Sequence, residues 1–275
     1  MGKTTFASVS NSLFICNKDA NWHCFRYGSG SKVLLAFHGF SQDHHFFASL
    51  EAELGEEYTI WAVDMPGHGK TEWESRKICR PEIIAALASE IMEQTALSKV
   101  DVIGFSMGGR YAWVLAQEYP QMINRLYLAS TEGLTTNFGV SVFASNPVGR
   151  FLLHKLITMP WMVMAPAYLI RKLKLISEKL YQFILLNTNS KKIRGQLETA
   201  WIAMSGLKPS QTKLAAVMNS QQTPVFTIIG SKDPLIKVAD AKSLADKMHY
   251  GQLVVIPKGH FVVDHNLGRR MREFQ

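Results

Sequence analysis

Two hydrophobic periods alternate along the chain. Short continuous apolar runs recur: "KVLLAF" (Lys32 to Phe37), "YTIWAVD" from Tyr58, "KVDVIGF" from Lys99, "INRLYLAS" from Ile123, "TPVFTIIG" from Thr223 and "GQLVVIP" from Gly251. The first two read as strands buried on both faces, and the other four read as strands. Between them lie stretches with apolar residues at helical spacing. "PEIIAALASEIMEQTAL" opens with Pro81 at a helix N-terminus, "GGRYAWVLAQEYP" is stopped by Pro120, and "VADAKSLADKM" follows the fifth of these runs. A helical stretch is also expected near Phe46 to Leu54, and a short helix at the C-terminus. Near the start, "SLFICN" and "WHCFRYG" flank "KDA" and read as a hairpin. Strands alternating with helices predict an α/β fold: a mostly parallel sheet with helices on both faces.

The alternation breaks between about Gly133 and Ala216, where no strand pattern is visible and the chain is helical, basic and rich in Met and aromatic residues. We read residues 1–132 and 217–275 as the core and residues 133–216 as a helical cap inserted between two strands. With 275 residues, 47% of them apolar and 19% charged, the chain is large enough for one such domain and has too few charges for disorder. The net charge of +8 is local: Gly149 to Arg194 holds nine Lys and Arg residues against the single acid Glu178. No basic stripe sits on a nucleic-acid-binding motif, so nucleic acid is not an expected partner. "FLLHKLITMPWMVMAPAYLI" (Phe151 to Ile170) is strongly apolar but interrupted by His154, Lys155, Pro160 and Pro166, which argues against a membrane span. It reads as buried or groove-lining helices, with peripheral membrane contact as the alternative. Three cysteines without a CxxC argue against a disulfide framework or a zinc site. Cys16 and Cys24 could face one another across the hairpin, although reduced thiols are the preferred reading. "MGKTTFASVS" lacks an apolar signal region and has Phe6 where myristoylation would need Ser or Thr, so a cytoplasmic protein is expected.

The chemistry concentrates after the third run. Gly104-Phe105-Ser106-Met107-Gly108 fits G-x-S-x-G directly between a buried strand and a helix. There a nucleophile stands on a strained turn, small residues let strand and helix pass closely, and the helix N-terminus faces the reaction centre. A serine needs a base. His260, in "VVIPKGHFVV", follows the last strand, on the sheet edge where Ser106 also lies. Asp233, in "TIIGSKDPLI", follows the preceding strand and is the expected orienting acid. Glu132, in "LASTEGL", is the alternative acid. The order Ser, Asp, His is that of the α/β-hydrolase fold. An oxyanion hole requires two N–H donors: Met107, after the nucleophile, and Phe40, in the "HGFS" loop after the first buried strand. His38 and His68 are read as loop organisers.

Together "FHGF", "DMPGHGKT", "GFSMGG", "GSKDPL" and "GHF" resemble the α/β-hydrolase superfamily across the whole chain except the insertion. The resemblance implies an eight-stranded sheet, a helical cap after the sixth strand, and Ser106, Asp233 and His260 as catalytic triad. A narrower resemblance joins "HGFSQDHHFF", "VDMPGHGKT" and "GFSMGGR" to the menaquinone-pathway 2-succinyl-6-hydroxy-2,4-cyclohexadiene-1-carboxylate synthases. It implies a lyase that eliminates pyruvate, with Arg110 holding a substrate carboxylate through its planar fork. Arg150, Arg171 and Arg194 are the cap arginines such a site could recruit. The structural alternative for Arg110 is an ion pair with Glu132. The preferred expectation is a serine hydrolase acting on a carboxylic ester or related acyl compound with an apolar moiety. The lyase is second and a non-catalytic binder third. No metal or organic cofactor is implied. The partner expected is a small-molecule substrate, and the oligomeric state is not legible.

Overall fold

A computed structural model describes residues 11–17, 20–74, 76–134, 146–173, 175–176, 178, 181–182, 185 and 190–274. The first ten residues, residues 135–145 of the insertion, and Lys174 and Lys179 of the basic block lie outside that set.

Eight strands form one sheet: β1 (Ser12–Asn17), β2 (Ala20–Tyr27), β3 (Lys32–Phe37), β4 (Tyr58–Val63), β5 (Val100–Phe105), β6 (Ile123–Ala129), β7 (Val225–Gly230) and β8 (Gly251–Ile256). Their spatial order is β1-β2-β4-β3-β5-β6-β7-β8. The first two pairings are antiparallel, and every pairing from β4–β3 to β7–β8 is parallel. The continuous apolar run of β3 is explained by burial on both sides. Along β3, Val33, Leu35 and Phe37 enter one core cluster, whereas Leu34 and Ala36 enter the other.

Helices cover both faces. A 3-10 helix (His44–Leu50) runs into α1 (Glu51–Leu54), and this pair packs with α9 (His265–Glu273) on one face through Phe47, Leu50, Leu267 and Met271. The other face carries α2 (Pro81–Thr95), α3 (Met107–Glu118), α7 (Gln211–Ser220) and α8 (Val238–Ala245), through residues such as Ile84, Tyr111, Leu214 and Leu244. The stretch expected as a helix near Phe46 is thus mostly 3-10, started by Asp43, whose side chain accepts the N–H of His45.

Between β6 and β7 lie α4 (Pro147–Thr158), α5 (Trp161–Lys172), α6 (Lys191–Met204) and α7. α6 is tied to the core: the N–H of Cys79 donates to Ala203 O at 2.9 Å, and Ala200, Ala203 and Met204 join the main cluster. α4 is tied to α6 by His154 Nδ1 and Glu198 Oε1, 2.8 Å apart, and by Leu153 and Ile157 against Ile202.

One expectation is corrected. The apolar stretch from Phe151 to Ile170 is not simply buried: Phe151, Leu152, Trp161, Met162, Tyr168, Leu169 and Ile170 face outward. Helical spacing marks an apolar stripe but not the direction in which it points. Of the two readings for the hairpin cysteines the preferred one, reduced thiols, stands, and Cys16 and Cys24 do not face each other. The hairpin register pairs Cys16 with Asn21 and Leu13 with Cys24, and Cys16, Cys24 and Cys79 form no disulfide. Among the described residues no helix is long and apolar enough to cross a membrane.

Candidate active site

β5 delivers Ser106 onto a sharp bend. Its φ of 50° and ψ of −115° lie where an L-residue is strained. Three backbone hydrogen bonds hold the bend: Ser106 N–H to Ala129 O, and Ser106 O accepting from the N–H groups of Gly109 and Glu132. The glycines of the motif are required by close approach. A Cβ on Gly104 would lie 2.6 Å from Gly108 O and from Gly109 Cα. A Cβ on Gly108 would overlap the carbonyl oxygens of Phe37 and His38, and one on Gly109 would overlap the Thr131 hydroxyl. Helix α3 therefore sits close against the ends of β3 and β6, with its N-terminus at Ser106.

Asp233 follows β7 and His260 follows β8. The His260 ring spans the gap between them and the elbow, with Nε2 2.9 Å from Ser106 Oγ and Nδ1 2.8 Å from Asp233 Oδ2. Asp233 is fixed on its other side, where Oδ1 accepts the N–H of Leu235 at 2.8 Å and of Ile236 at 3.1 Å. Burial alone would raise the Asp233 carboxyl, but the Leu235 N–H, the His260 ring and the Ile236 N–H together hold it below its ordinary value. An ionised carboxylate can only accept, so the proton on neutral His260 belongs on Nδ1, leaving Nε2 to accept from the serine.

The two expected oxyanion donors differ in how they are held. Met107 is the first residue of α3, so its N–H has no intrahelical acceptor. In the loop after β3, Gly39 N–H donates to Gln42 Oε1 at 3.0 Å and Ser41 N–H donates to His68 Nε2 at 3.0 Å. The N–H of Phe40 lies between these two committed groups. His38 is fully buried, with Nδ1 2.7 Å from Gly39 O and Nε2 accepting Met65 N–H at 3.0 Å. His68 Nδ1 is 3.0 Å from Pro66 O. Both imidazoles bind loops together.

Glu132 is directed elsewhere. Its Oε1 is 2.7 Å from Arg110 Nη2, and the Arg110 side chain is only 8% exposed. Asp233, not Glu132, occupies the position beside His260 Nδ1. In the insertion, Arg171 Nε is 2.6 Å from Glu178 Oε2, Arg194 Nε donates to Ile157 O at 2.8 Å, and Arg150 lies on α4.

Sequence reasoning missed a second buried network. Asp64, in "DMPGHGKT", accepts from His23 Nδ1 at 2.7 Å, His44 Nδ1 at 2.9 Å, His44 N–H at 2.8 Å and Lys70 N–H at 2.8 Å. Burial alone would raise this carboxyl, but the Lys70 N–H and the His44 contacts hold it low. The ligand atoms of His23, His44 and Asp64 lie within 4.8 Å of one another. Both ring nitrogens nevertheless meet the carboxylate as hydrogen-bond donors, so the cluster is satisfied as it stands. It locks β2 and the 3-10 helix to the loop after β4. Beside it a cavity of about 860 Å³ is lined by Ser41, Gln42, Phe46, Lys70, Lys192 and Gln196, among others.

The strand order, the strained serine and the Ser–His–Asp contacts at the sheet's carboxyl edge define an α/β-hydrolase fold. Residues 32–153 match a family model described as alpha/beta hydrolase fold, and residues 178–266 match one described as serine hydrolase (FSH1). Over these residues the chain is similar to α/β hydrolases, and it has their fold. A thermophilic esterase from Thermogutta terrifontis superposes with a TM-score of 0.69 at 19% identity, over 96% of this chain and 98% of that one. A poly(3-hydroxyalkanoate) depolymerase of Ectopseudomonas oleovorans is 24% identical over 235 residues, 82% of this chain and 77% of that protein. A putative 2-succinyl-6-hydroxy-2,4-cyclohexadiene-1-carboxylate synthase of Bacillus subtilis is 34% identical over 111 residues, 39% of this chain and 40% of that protein. Several curated relatives are matched over only 37% of their own length, little more than a third.

Proposed function

We propose that the chain is a serine hydrolase for a carboxylic ester or related acyl compound carrying an apolar group. The observation that carries this reading is His260 held between Ser106 Oγ at 2.9 Å and Asp233 Oδ2 at 2.8 Å. His260 Nε2 takes the hydroxyl proton as Ser106 Oγ bonds to the substrate carbonyl carbon. The carbonyl electron pair moves to oxygen, where the N–H groups of Phe40 and Met107 meet the developing charge. Collapse expels the alcohol, which takes the proton from His260 and leaves an acyl-serine. Water, deprotonated by His260, attacks that acyl carbon and releases the acid. Asp233 holds the imidazole tautomer and balances its positive charge in both halves.

Apolar character around the triad supports the substrate class. Phe261 follows His260 and is 64% exposed, and Leu235 beside Asp233 is 61% exposed. The rings of Phe105, Phe46 and Phe261 form a continuous set next to His260. Residues 133–216 act as the cap that shapes this mouth, anchored to the core through α6. The lyase reading is weaker, because the Arg110 guanidinium is already met by Glu132 and the Nε groups of Arg171 and Arg194 are engaged.

A fluorophosphonate probe tests the proposal. Labelling is expected on Ser106 and lost in Ser106→Ala, together with hydrolysis of short acyl esters. Folded protein that neither labels nor turns over any ester would overturn it. Pyruvate release from the lyase substrate, abolished by Arg110→Ala, would favour the second reading.

A further inference from the structure

The first two described helices of the insertion carry apolar residues on their outward faces as well as their inward ones. A surface helix ordinarily turns its apolar stripe to the core and its polar stripe to water. On α4 the outward stripe at i, i+3, i+4 and i+7 is Val148, Phe151, Leu152 and Lys155, while Leu153 and Ile157 pack inward on Ile202. On α5 the outward stripe is Trp161, Met162, Ala165, Tyr168, Leu169 and Lys172, and exposed apolar residues continue with Leu173 and Leu175. Trp161 is 66% exposed and Leu175 is 72% exposed. Scattered surface leucines carry no meaning, but a contiguous apolar face rimmed by charge marks a contact surface.

The rim has one sign. Lys155 Nζ lies over the Phe151 ring, 5.5 Å from its centroid, and the Arg171 guanidinium lies 4.6 Å from that of Tyr181. Lys172 ends α5. Counted along the sequence, Gly149 to Arg194 carries nine Lys and Arg residues against the single acid Glu178, which Arg171 already holds at 2.6 Å. That charge argues against a second copy of the chain as the occupant, since a two-fold contact would set like cations against one another. It matches an anionic lipid surface. Aromatic and aliphatic groups on the outward face, with Lys and Arg at its border, are what a helix lying in the headgroup region presents.

We propose that the outward faces of α4 and α5 dock on an anionic lipid bilayer. Trp161, Phe151, Met162 and Leu169 enter the boundary between headgroups and acyl chains, and Lys155 and Lys172 meet lipid phosphates. The inference goes beyond the hydrolase reading and does not depend on it, because binding is measured without turnover.

The experiment is sedimentation of the full chain with vesicles of phosphatidylcholine alone or mixed with phosphatidylglycerol. Binding to the anionic vesicles is expected to be about ten-fold or more tighter, and to weaken as salt is added. Lys155→Glu with Lys172→Glu should lose at least about five-fold per site on anionic vesicles only. Trp161→Ser with Leu169→Ser should lose about ten-fold or more. Ser106→Ala should bind as the parent does. All of these positions but Ser106 lie on the outward stripes, and unchanged circular dichroism and melting temperature establish that each variant is folded. Binding to neither vesicle, equal binding to both, or full binding by the folded variants would overturn the proposal. So would a concentration-dependent dimer in light scattering that Trp161→Ser with Leu169→Ser abolishes.

Discussion

Glu132 turns its carboxylate to Arg110, 2.7 Å away, while its own N–H donates to Ser106 O at 2.9 Å. One residue therefore fixes the back of the elbow and neutralises the arginine of "GFSMGGR", and it leaves the base to another acid. The two candidate acids should separate cleanly. Asp233→Asn is expected to lower kcat for ester hydrolysis by roughly 10³ to 10⁴, with little change in fold. Glu132→Gln should cost no more than about ten-fold, chiefly through a loosened elbow. Steady-state kinetics on one ester, with circular dichroism, decides between them.

Arg110→Ala is expected to act on stability more than on chemistry. It leaves Glu132 without its partner beside a nearly buried site, and a loss of about 1–3 kcal/mol in urea unfolding should follow. The kcat of ester hydrolysis should stay within a few-fold of the parent. A kinetic collapse in a stably folded Arg110→Ala protein would instead mean that the guanidinium touches substrate.

Gly108→Ala should be poorly tolerated. The added methyl would overlap the carbonyl oxygens of Phe37 and His38, so β3 and α3 would have to separate. A destabilisation of about 1–3 kcal/mol or more is expected, with a fall in probe labelling of Ser106. Gly195→Ala on α6 is the control, since a Cβ there meets nothing within 4 Å. It should be neutral or stabilising by up to about 1 kcal/mol.

Acid should weaken the fold before the carboxylates titrate. Burial lowers His23, His38 and His68 below the ordinary value of 6.5, despite the acceptors near them. Once the pH drops below about 6.5 the unfolded chain binds protons that the folded chain refuses, so this stability is present above that pH and is lost toward the lower folded values. Melting temperature should fall as buffer pH is taken from about 7.5 to about 5.5. His68→Gln, which keeps an acceptor for Ser41 N–H, should flatten the profile. A melting temperature that rises over this interval would contradict the assignment of neutral buried imidazoles.

Substrate preference should follow the apolar mouth. Phe261→Ser with Leu235→Ser is expected to raise KM for longer acyl esters by about ten-fold or more while hardly altering acetyl esters. A chain-length series of nitrophenyl esters measures it.

The fold was readable because strand-length apolar stretches, unbroken in β3, alternated with stretches at helical spacing. The elbow was readable because its glycines have a steric reason, now visible at Gly104, Gly108 and Gly109. Ser106, Asp233 and His260 could be named because strand ends on one edge of a parallel sheet converge. The Asp64 network could not be named. Its partner His23 is brought in by the β2–β4 pairing and His44 by the 3-10 helix after β3, so the three meet only in the folded chain. The outward faces of α4 and α5 escaped for a different reason. An apolar stripe at helical spacing looks the same whether the surface that covers it belongs to this chain or to something else.

The bond between His260 and Ser106 closes a loop of 154 residues. A growing or truncated chain that stops short of β8 can build the strained serine but has no base to offer it. Under the proposed chemistry, the appearance of ester-cleaving activity would time the addition of β6, β7 and β8 to β5 during refolding, because those strands lie within that loop.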